Sequence, residues 1–236
     1  PVQDMVLGCY YLTKMQPGVK GENMIFGSLE EAMIAYQSEV VHIQALVKGR
    51  VDGKIYDTTV GRMIFNSFLP KAVPFINETV DKRRLGDIIT ETFEKCGMEM
   101  TAIVADNLKR IGFQFATRSG LSIGADDMVI PKEKEQIVEN ANKIIIEINS
   151  QYQNGLITDE ERYLHTIKVW SLAKSEITTA MVKSIKENND LHYMINSGAR
   201  GNWGQVTQLC GMKGLVANPA GKTIELPIKS NFKEGF

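Results

Sequence analysis

Cysteine is scarce: Cys9, Cys96 and Cys210 stand far apart in a chain of 236 residues, with no Cys-x-x-Cys among them. An odd, scattered set excludes a disulfide frame and a structural zinc site, and it points to a reducing compartment. Histidine is equally sparse, and His42, His165 and His192 are nowhere paired at metal-ligand spacing. No Ser-His-Asp or Cys-His arrangement stands out, so the chain by itself shows no complete active site. No stretch approaches the ~18 uninterrupted apolar residues of a membrane span, and no signal-peptide pattern stands at Pro1. The formal net charge of -1 excludes a grossly basic nucleic-acid coat while leaving room for a local basic face.

What is present is ordinary globular material. Hydrophobic residues make up 43% and charged residues 23%, enough for one large or two modest domains with cores. The sequence opens at Pro1 and closes on "NFKEGF", which reads as a piece of a longer polypeptide.

Three regions differ in texture, and together they predict an α+β fold. Residues 1–125 mix short apolar runs with turn signals. "VVHIQALVKGRVDGKIY" alternates around Asp52-Gly53, a strong hairpin signal. "TTVGRMIFNSFLP" stops at Pro70. The spacing of Ile88, Ile89 and Phe93, then of Val104, Leu108 and Ile111, predicts two amphipathic helices. Residues 126–192 predict an antiparallel helical hairpin. Its first helix starts at Pro131 and carries Ile137, Ala141, Ile144, Ile148 and Tyr152 on one face, with Gly155 as breaker. Thr158-Asp-Glu-Glu161 is a capping box that opens the second, which carries Tyr163, Ile167, Trp170, Ile177 and Met181. At 1.5 Å per residue such a hairpin projects on the order of 30 Å, unless it is two helices of a larger bundle.

Residues 193–236 form the glycine-rich, basic end. Five glycines fall between Gly198 and Gly214, and residues 195–236 hold five Lys/Arg against two Asp/Glu. Within 131–190 the balance is eight against ten. Gly221-Lys222-Thr223 looks like the tail of a phosphate-binding loop, but Val216 occupies the position of the required earlier glycine. "TIELPI" then alternates like a strand where a helix is needed. Asp126-Asp127 is better placed to cap the helix near Pro131 than to share a metal. A linker would lack the large apolar Trp203, Val206, Leu209 and Met212. The glycines therefore serve close backbone approach, and with Arg200 among them either a structural corner or a contact to phosphate or carboxylate fits.

At these residues a resemblance becomes specific. "SGARG", "QLCGMKGLVANPAG" and "IELPIKSNFKEG" closely resemble the segment just before the bridge helix in the largest catalytic subunit of bacterial multisubunit RNA polymerases. "QDMVLGCYYLT" resembles the stretch after that family's catalytic aspartate motif. "TTVGR" and "ATRSGLSIGADDMVIP" resemble its pore region, and "YQNGLITDEERY" the tip of its secondary-channel rim hairpin. The match runs in order from Val2 to Gly235.

The resemblance implies a pore-type domain at 1–125, a rim hairpin at 126–192 and an F-loop-like segment at 193–236. Arg200, and with it Gln3, would lie near the incoming nucleotide. Gly198, Gly201, Gln205, Gly211 and Gly214 would pack in the F-loop against the bridge helix. Tyr152, Gly155, Leu156, Thr158 and Arg162 would face transcript-cleavage-type factors.

Implied partners are the β, α and ω subunits, DNA template and RNA, in a bacterial cytoplasm or a plastid, and no membrane. The three aspartates of "NADFDGD", which hold the catalytic magnesium, do not occur here. The chain alone is therefore expected to bind no cofactor and to be inactive, the magnesium of the complete enzyme being held elsewhere. Asn202-Trp203 stands where relatives tend to carry small residues. The competing expectation is a free-standing, non-catalytic binding module built on the hairpin.

Overall fold

Asp52 and Gly53 adopt φ 47° and 80°, the left-handed pair that a two-residue hairpin turn requires. Around them β2 (Leu46–Val51) and β3 (Lys54–Thr59) pair antiparallel, from Leu46 opposite Thr59 to Val51 opposite Lys54. The short β1 (Ile25–Phe26) adds in parallel to β2, so the sheet order is β1-β2-β3. The computed structural model describes residues 1–235. They divide into two units: Pro1–Ser122 together with Tyr193–Arg200, and Ile123–His192 together with the chain from Gly201 onward. The fold is α+β, and no helix among the described residues is long and apolar enough to cross a membrane.

In the first unit the sheet is accompanied by α1 (Asp4–Thr13), α2 (Leu29–Gln37), α3 (Val60–Ser67) and α4 (Lys82–Ser119). Ser28, Thr59 and Asp81 cap the last three, each side chain accepting a backbone N–H of its first turn. The two helices expected between Ile88 and Ile111 are joined into α4, and the break between them is Gly97, at φ 76° and ψ -178°.

The buried face of α4 runs through Leu85, Ile88 and Thr92, then Val104, Leu108, Ile111 and Phe115. Phe93, expected beside Ile88, is exposed instead. Five residues separate them, which on a 100° helical step turns Phe93 well off that face. Cys9 lies in the same core, where burial pushes its thiol up to about 12 and leaves it no nucleophile at neutral pH.

Helix α1 is the best-fixed element of this unit. A Cβ on Gly8 would overlap the Gly112 carbonyl and stand 2.7 Å from the Ala116 nitrogen. One on Gly112 would stand 2.6 Å from the Met5 carbonyl oxygen, and one on Gly61 would overlap the Leu12 carbonyl. Backbone thus lies on backbone along both α4 and α3. The far end is tied as well, because the buried Arg62 donates through Nε to the Thr13 carbonyl (2.8 Å). The Thr13 hydroxyl accepts the Val80 N–H (2.9 Å).

The second unit is built on α5 (Lys134–Gln153) and α6 (Asp159–Ser184), an antiparallel pair closed on Ala141, Trp170, Ala173, Ile177 and Met212. Pro131 is not the first residue of α5. It opens a turn in which its carbonyl accepts the Lys134 N–H (3.2 Å), and the helix proper starts there. The inward stripe of α5 runs through Ile137, Val138, Ala141, Ile145 and Ile148. Ile144 and Tyr152, expected on it, are 46% and 41% exposed: they flank the seam that α5 shares with α6 and stay in water.

Asp127 caps nothing in α5. Its carboxylate accepts the Gly124 N–H (2.7 Å), closing a short 3-10 turn at Ala125–Asp127 before that helix. "TIELPI" forms no regular strand and contributes two isolated bridges, Gly214 with Ile228 and Ala217 with Thr223. Gly221-Lys222-Thr223 follows a turn around Asn218, whose side chain accepts the Lys222 N–H (2.9 Å), so no helix is present to hold a phosphate. A short helix, α7 (Asp190–Asn196), carries the chain back to the first unit. In the second, α8 (Trp203–Val206) and a π-helical turn (Thr207–Gly211) follow.

Two glycine substitutions should separate close packing from helix propensity. Gly8→Ala should destabilise the chain by more than about 3 kcal/mol, since backbone cannot swing aside. Gly86→Ala, with open space around its Cβ, should stabilise it by about 0.5–1 kcal/mol. Thermal unfolding followed by circular dichroism ranks the two.

Candidate functional site

Gln3 immediately precedes α1 and is exposed, with φ 53° and ψ -122°. For a residue with a side chain that backbone costs about 1–3 kcal/mol and persists only where the surroundings over-determine it. Here the surroundings are the tightly seated α1, whose Leu7 N–H bonds the Gln3 carbonyl (3.0 Å). Arg200 belongs to the same unit, just past the end of α7. Gly198 (φ 73°) turns the chain, donating its N–H to the Ile195 carbonyl (3.0 Å), and the Arg200 N–H reaches the Met194 carbonyl (3.4 Å). The Ser197 carbonyl accepts the Lys82 N–H (2.9 Å), and a Cβ on Gly198 would stand 3.0 Å from the Lys82 Cβ. The backbone of this loop is fixed while the Arg200 side chain is exposed, with no ion-pair partner among the described residues. A fixed loop presenting an unengaged guanidinium suits recognition of an anion by paired N–H donors.

The remaining glycine-rich residues lie in the second unit. Gly201 has φ 75°, and Gln205 is exposed on α8, its N–H capped by the Asn202 side chain (2.9 Å). Gly211 and Gly214 lie against α6. A Cβ on Gly211 would meet Ile177 Cγ2 at 3.2 Å, and one on Gly214 would meet Lys174 Cδ at 2.9 Å. Asn231 is fully buried and donates to the Gly211 carbonyl (3.0 Å). Burial pushes the Cys210 thiol up to about 11, which removes it as a nucleophile. Trp203 is half-buried and meets the His192 ring edge-on, centroids 5.9 Å apart.

At the hairpin tip Gly155 turns at φ 72°, and Leu156 is 72% exposed beside Tyr152. Thr158 and Glu161 form the expected capping box: the Thr158 hydroxyl accepts the Glu161 N–H (3.2 Å), and the Glu161 carboxylate accepts the Thr158 N–H (2.8 Å). Arg162 is already engaged. It donates to Glu225 (2.8 Å) and Asp159 (2.8 Å) and stands over the Tyr152 ring at 5.4 Å. Its charged form is favoured first by Glu225 and then by Asp159. The pairing with Glu225, 63 residues away, left no signal in the sequence. Among the described residues no group of three or more His, Cys, Asp or Glu is placed to hold a metal ion.

The described residues thus present an exposed arginine on a hydrogen-bonded loop and, separately, an exposed apolar tip on a helical pair. Comparison with known proteins places the chain in a family. RNA polymerase Rpb1, domain 3, matches residues 1–128, and RNA polymerase Rpb1, domain 4, matches residues 157–233. The chain belongs to the RNA polymerase Rpb1 family and matches part of the β′ subunit. It is 41% identical over 255 residues to the DNA-directed RNA polymerase subunit β′ of Heliobacterium modesticaldum, and 44% identical over 237 residues to those of Pelotomaculum thermopropionicum and Desulforudis audaxviator. Each alignment covers 100% of this chain but only 22%, 20% and 20% of those relatives, so the chain spans about a fifth of their length.

Removing the capping hydroxyl tests the tip. Thr158→Ala should cost about 1 kcal/mol in thermal unfolding. The hydrogen bonds from Thr158 hold the Glu161 carboxyl below its ordinary value of 4.5. A depressed carboxyl stabilises the fold above that value and loses its contribution as pH falls through the folded-state value. Alanine keeps the Thr158 N–H bond to Glu161 and loses only the hydroxyl's, so the part of the cost carried by the hydroxyl should shrink in melts recorded progressively below pH 4.5.

Proposed function

We propose that this chain forms part of the nucleotide-entry route of a DNA-directed RNA polymerase. In this reading the first unit and the glycine-rich loop stand beside the active centre, and the α5–α6 hairpin stands at the rim of the secondary channel. The observation that carries the reading is Arg200, exposed and without an ion-pair partner among the described residues, on a loop whose backbone is tied at Met194, Ile195 and Lys82. Its fork of N–H donors is matched to phosphate oxygens, and rigidity of the loop lowers the cost of ordering it on binding. Gln3, at the start of α1, is the second contact to the nucleotide.

The exposed Leu156 and Tyr152 offer an apolar patch at the tip for a transcript-cleavage-type factor. Arg162, tied to Glu225, shapes that patch, and a factor carboxylate would reach it by displacing Glu225. Gly201, Gln205, Gly211 and Gly214 provide F-loop packing. Around these stand the remaining subunits, β, α and ω, with template DNA and RNA, in the cytoplasm. Magnesium supplies phosphoryl-transfer chemistry in the complete enzyme, and its aspartate ligands lie outside this chain. The residues here bind and position.

Two outcomes are expected. In polymerase carrying Arg200→Ala, loss of a charged hydrogen bond of ~1.5–3 kcal/mol should raise the apparent KM for nucleoside triphosphates roughly ten- to a hundredfold. An unchanged KM would remove the role. In source-cell lysate, antibody to this chain should detect a polypeptide several times larger than 26.3 kDa that co-sediments with RNA synthesis. A 26.3 kDa species outside any such complex would favour a free-standing module.

A further inference from the structure

Arg200 is held by a short segment whose largest buried side chain is Tyr193, 4% exposed and seven residues upstream, with Ser197 wholly buried between them. The Tyr193 ring stands edge-on to Tyr10 of α1, centroids 5.8 Å apart, and tilted against Tyr11 at 6.3 Å. Lys14 lies over the same ring at 4.0 Å, and the Tyr193 hydroxyl donates to the Gln44 side chain (3.4 Å). Gln44 in turn donates to the Tyr11 carbonyl (2.7 Å). The same apolar cluster takes in Leu7 of α1 together with Leu121 and Ala199, while the aromatic, cationic and polar contacts to Tyr193 come from Tyr10, Tyr11, Lys14 and Gln44. From the seat the path to Arg200 is short and rigid: Met194, next to Tyr193, accepts the Arg200 N–H, and the Tyr193 carbonyl accepts the Ser197 N–H (3.1 Å).

We propose that Tyr193 is a positioning residue: seated on α1, it holds Arg200 where a triphosphate is read. The inference rests on the reading of Arg200 as a phosphate contact. It adds that α1 sets the place of both nucleotide contacts, carrying Gln3 immediately before its first residue and the Tyr193 seat along Tyr10, Tyr11 and Lys14. Edge-on aromatic packing and a cation over a ring are worth enough to bias the loop, and they act on binding rather than on chemistry.

The test uses complete polymerase with the full-length subunit, measuring single-nucleotide addition across triphosphate concentrations. Tyr193→Leu should raise the apparent KM roughly three- to tenfold, with the rate at saturation changed far less. Tyr193→Phe keeps the ring and should recover most of the loss. Lys14→Met, which removes the cation but leaves the core intact, should raise KM in the same direction by a smaller factor. In an Arg200→Ala background Tyr193→Leu should add nothing, because the group it positions is gone.

An Arg200→Ala enzyme with normal KM overturns the phosphate reading and this inference together. A raised KM in Arg200→Ala with an unchanged one in both Tyr193→Leu and Lys14→Met overturns the inference alone. So does a Tyr193→Leu effect that is undiminished in the Arg200→Ala background.

Discussion

The first unit depends on one constraint, the seating of α1 backbone-to-backbone against α4 and α3. At Gly8, Gly112 and Gly61 the helices touch backbone to backbone, and around those points Val6, Cys9 and Leu12 pack into the core shared with α4 and α3, so α1 has little room to shift. Arg62 closes its far end through the Thr13 carbonyl. A helix fixed in this way can hold an unfavourable backbone at its start, which is what Gln3 has, and can serve as a platform for a ring from elsewhere in the sequence, as Tyr193 shows. Close packing here is what turns a helix into a reference surface.

The second unit works on a different principle. Its two helices share a narrow apolar seam, and the glycine-rich segment completes that seam by bringing Met212 against Trp170 and Ile177. Polar groups lock it further. Lys134, almost wholly buried, pairs with Glu234, and Lys229 donates to Asn142 while lying over the Trp170 ring at 5.1 Å. Breaking a buried pair by removing one partner leaves an uncompensated charge, so losing either Lys134 or Glu234 alone is costly. The basic end of the sequence is thereby distributed onto the helical pair, and its lysines are largely engaged.

Local chemistry was legible in the sequence. The Asp52-Gly53 turn and the Thr158–Glu161 box each depend on residues within three positions of one another, and both form as expected. So does the helical pair, whose apolar repeat is sustained over many turns. What could not be read depends on distant partners or on what is absent. Ile144 and Phe93 are apolar, yet both are exposed: Ile144 flanks the seam of α5, and Phe93 is turned off the buried face of α4 by its five-residue offset from Ile88. Asp127 found a nearer N–H than the one expected for it. Of the site, Gln3 and Arg200 were singled out through a family resemblance rather than by spacing. The Tyr193 seat and the Arg162–Glu225 pair join residues far apart in sequence, and nothing local announces either.

In the proposed reading, residues that touch no catalytic group decide where a nucleotide sits because the backbone that carries them is held in place. The most direct measurement is photocrosslinking in an elongating polymerase, with a nucleoside triphosphate that carries a photoreactive group on its γ-phosphate, followed by mass mapping of the labelled peptides. Label on the peptides that contain Gln3 and Arg200, competed by unmodified triphosphate, is the expected result. Competed label confined to polypeptide outside this chain would contradict it.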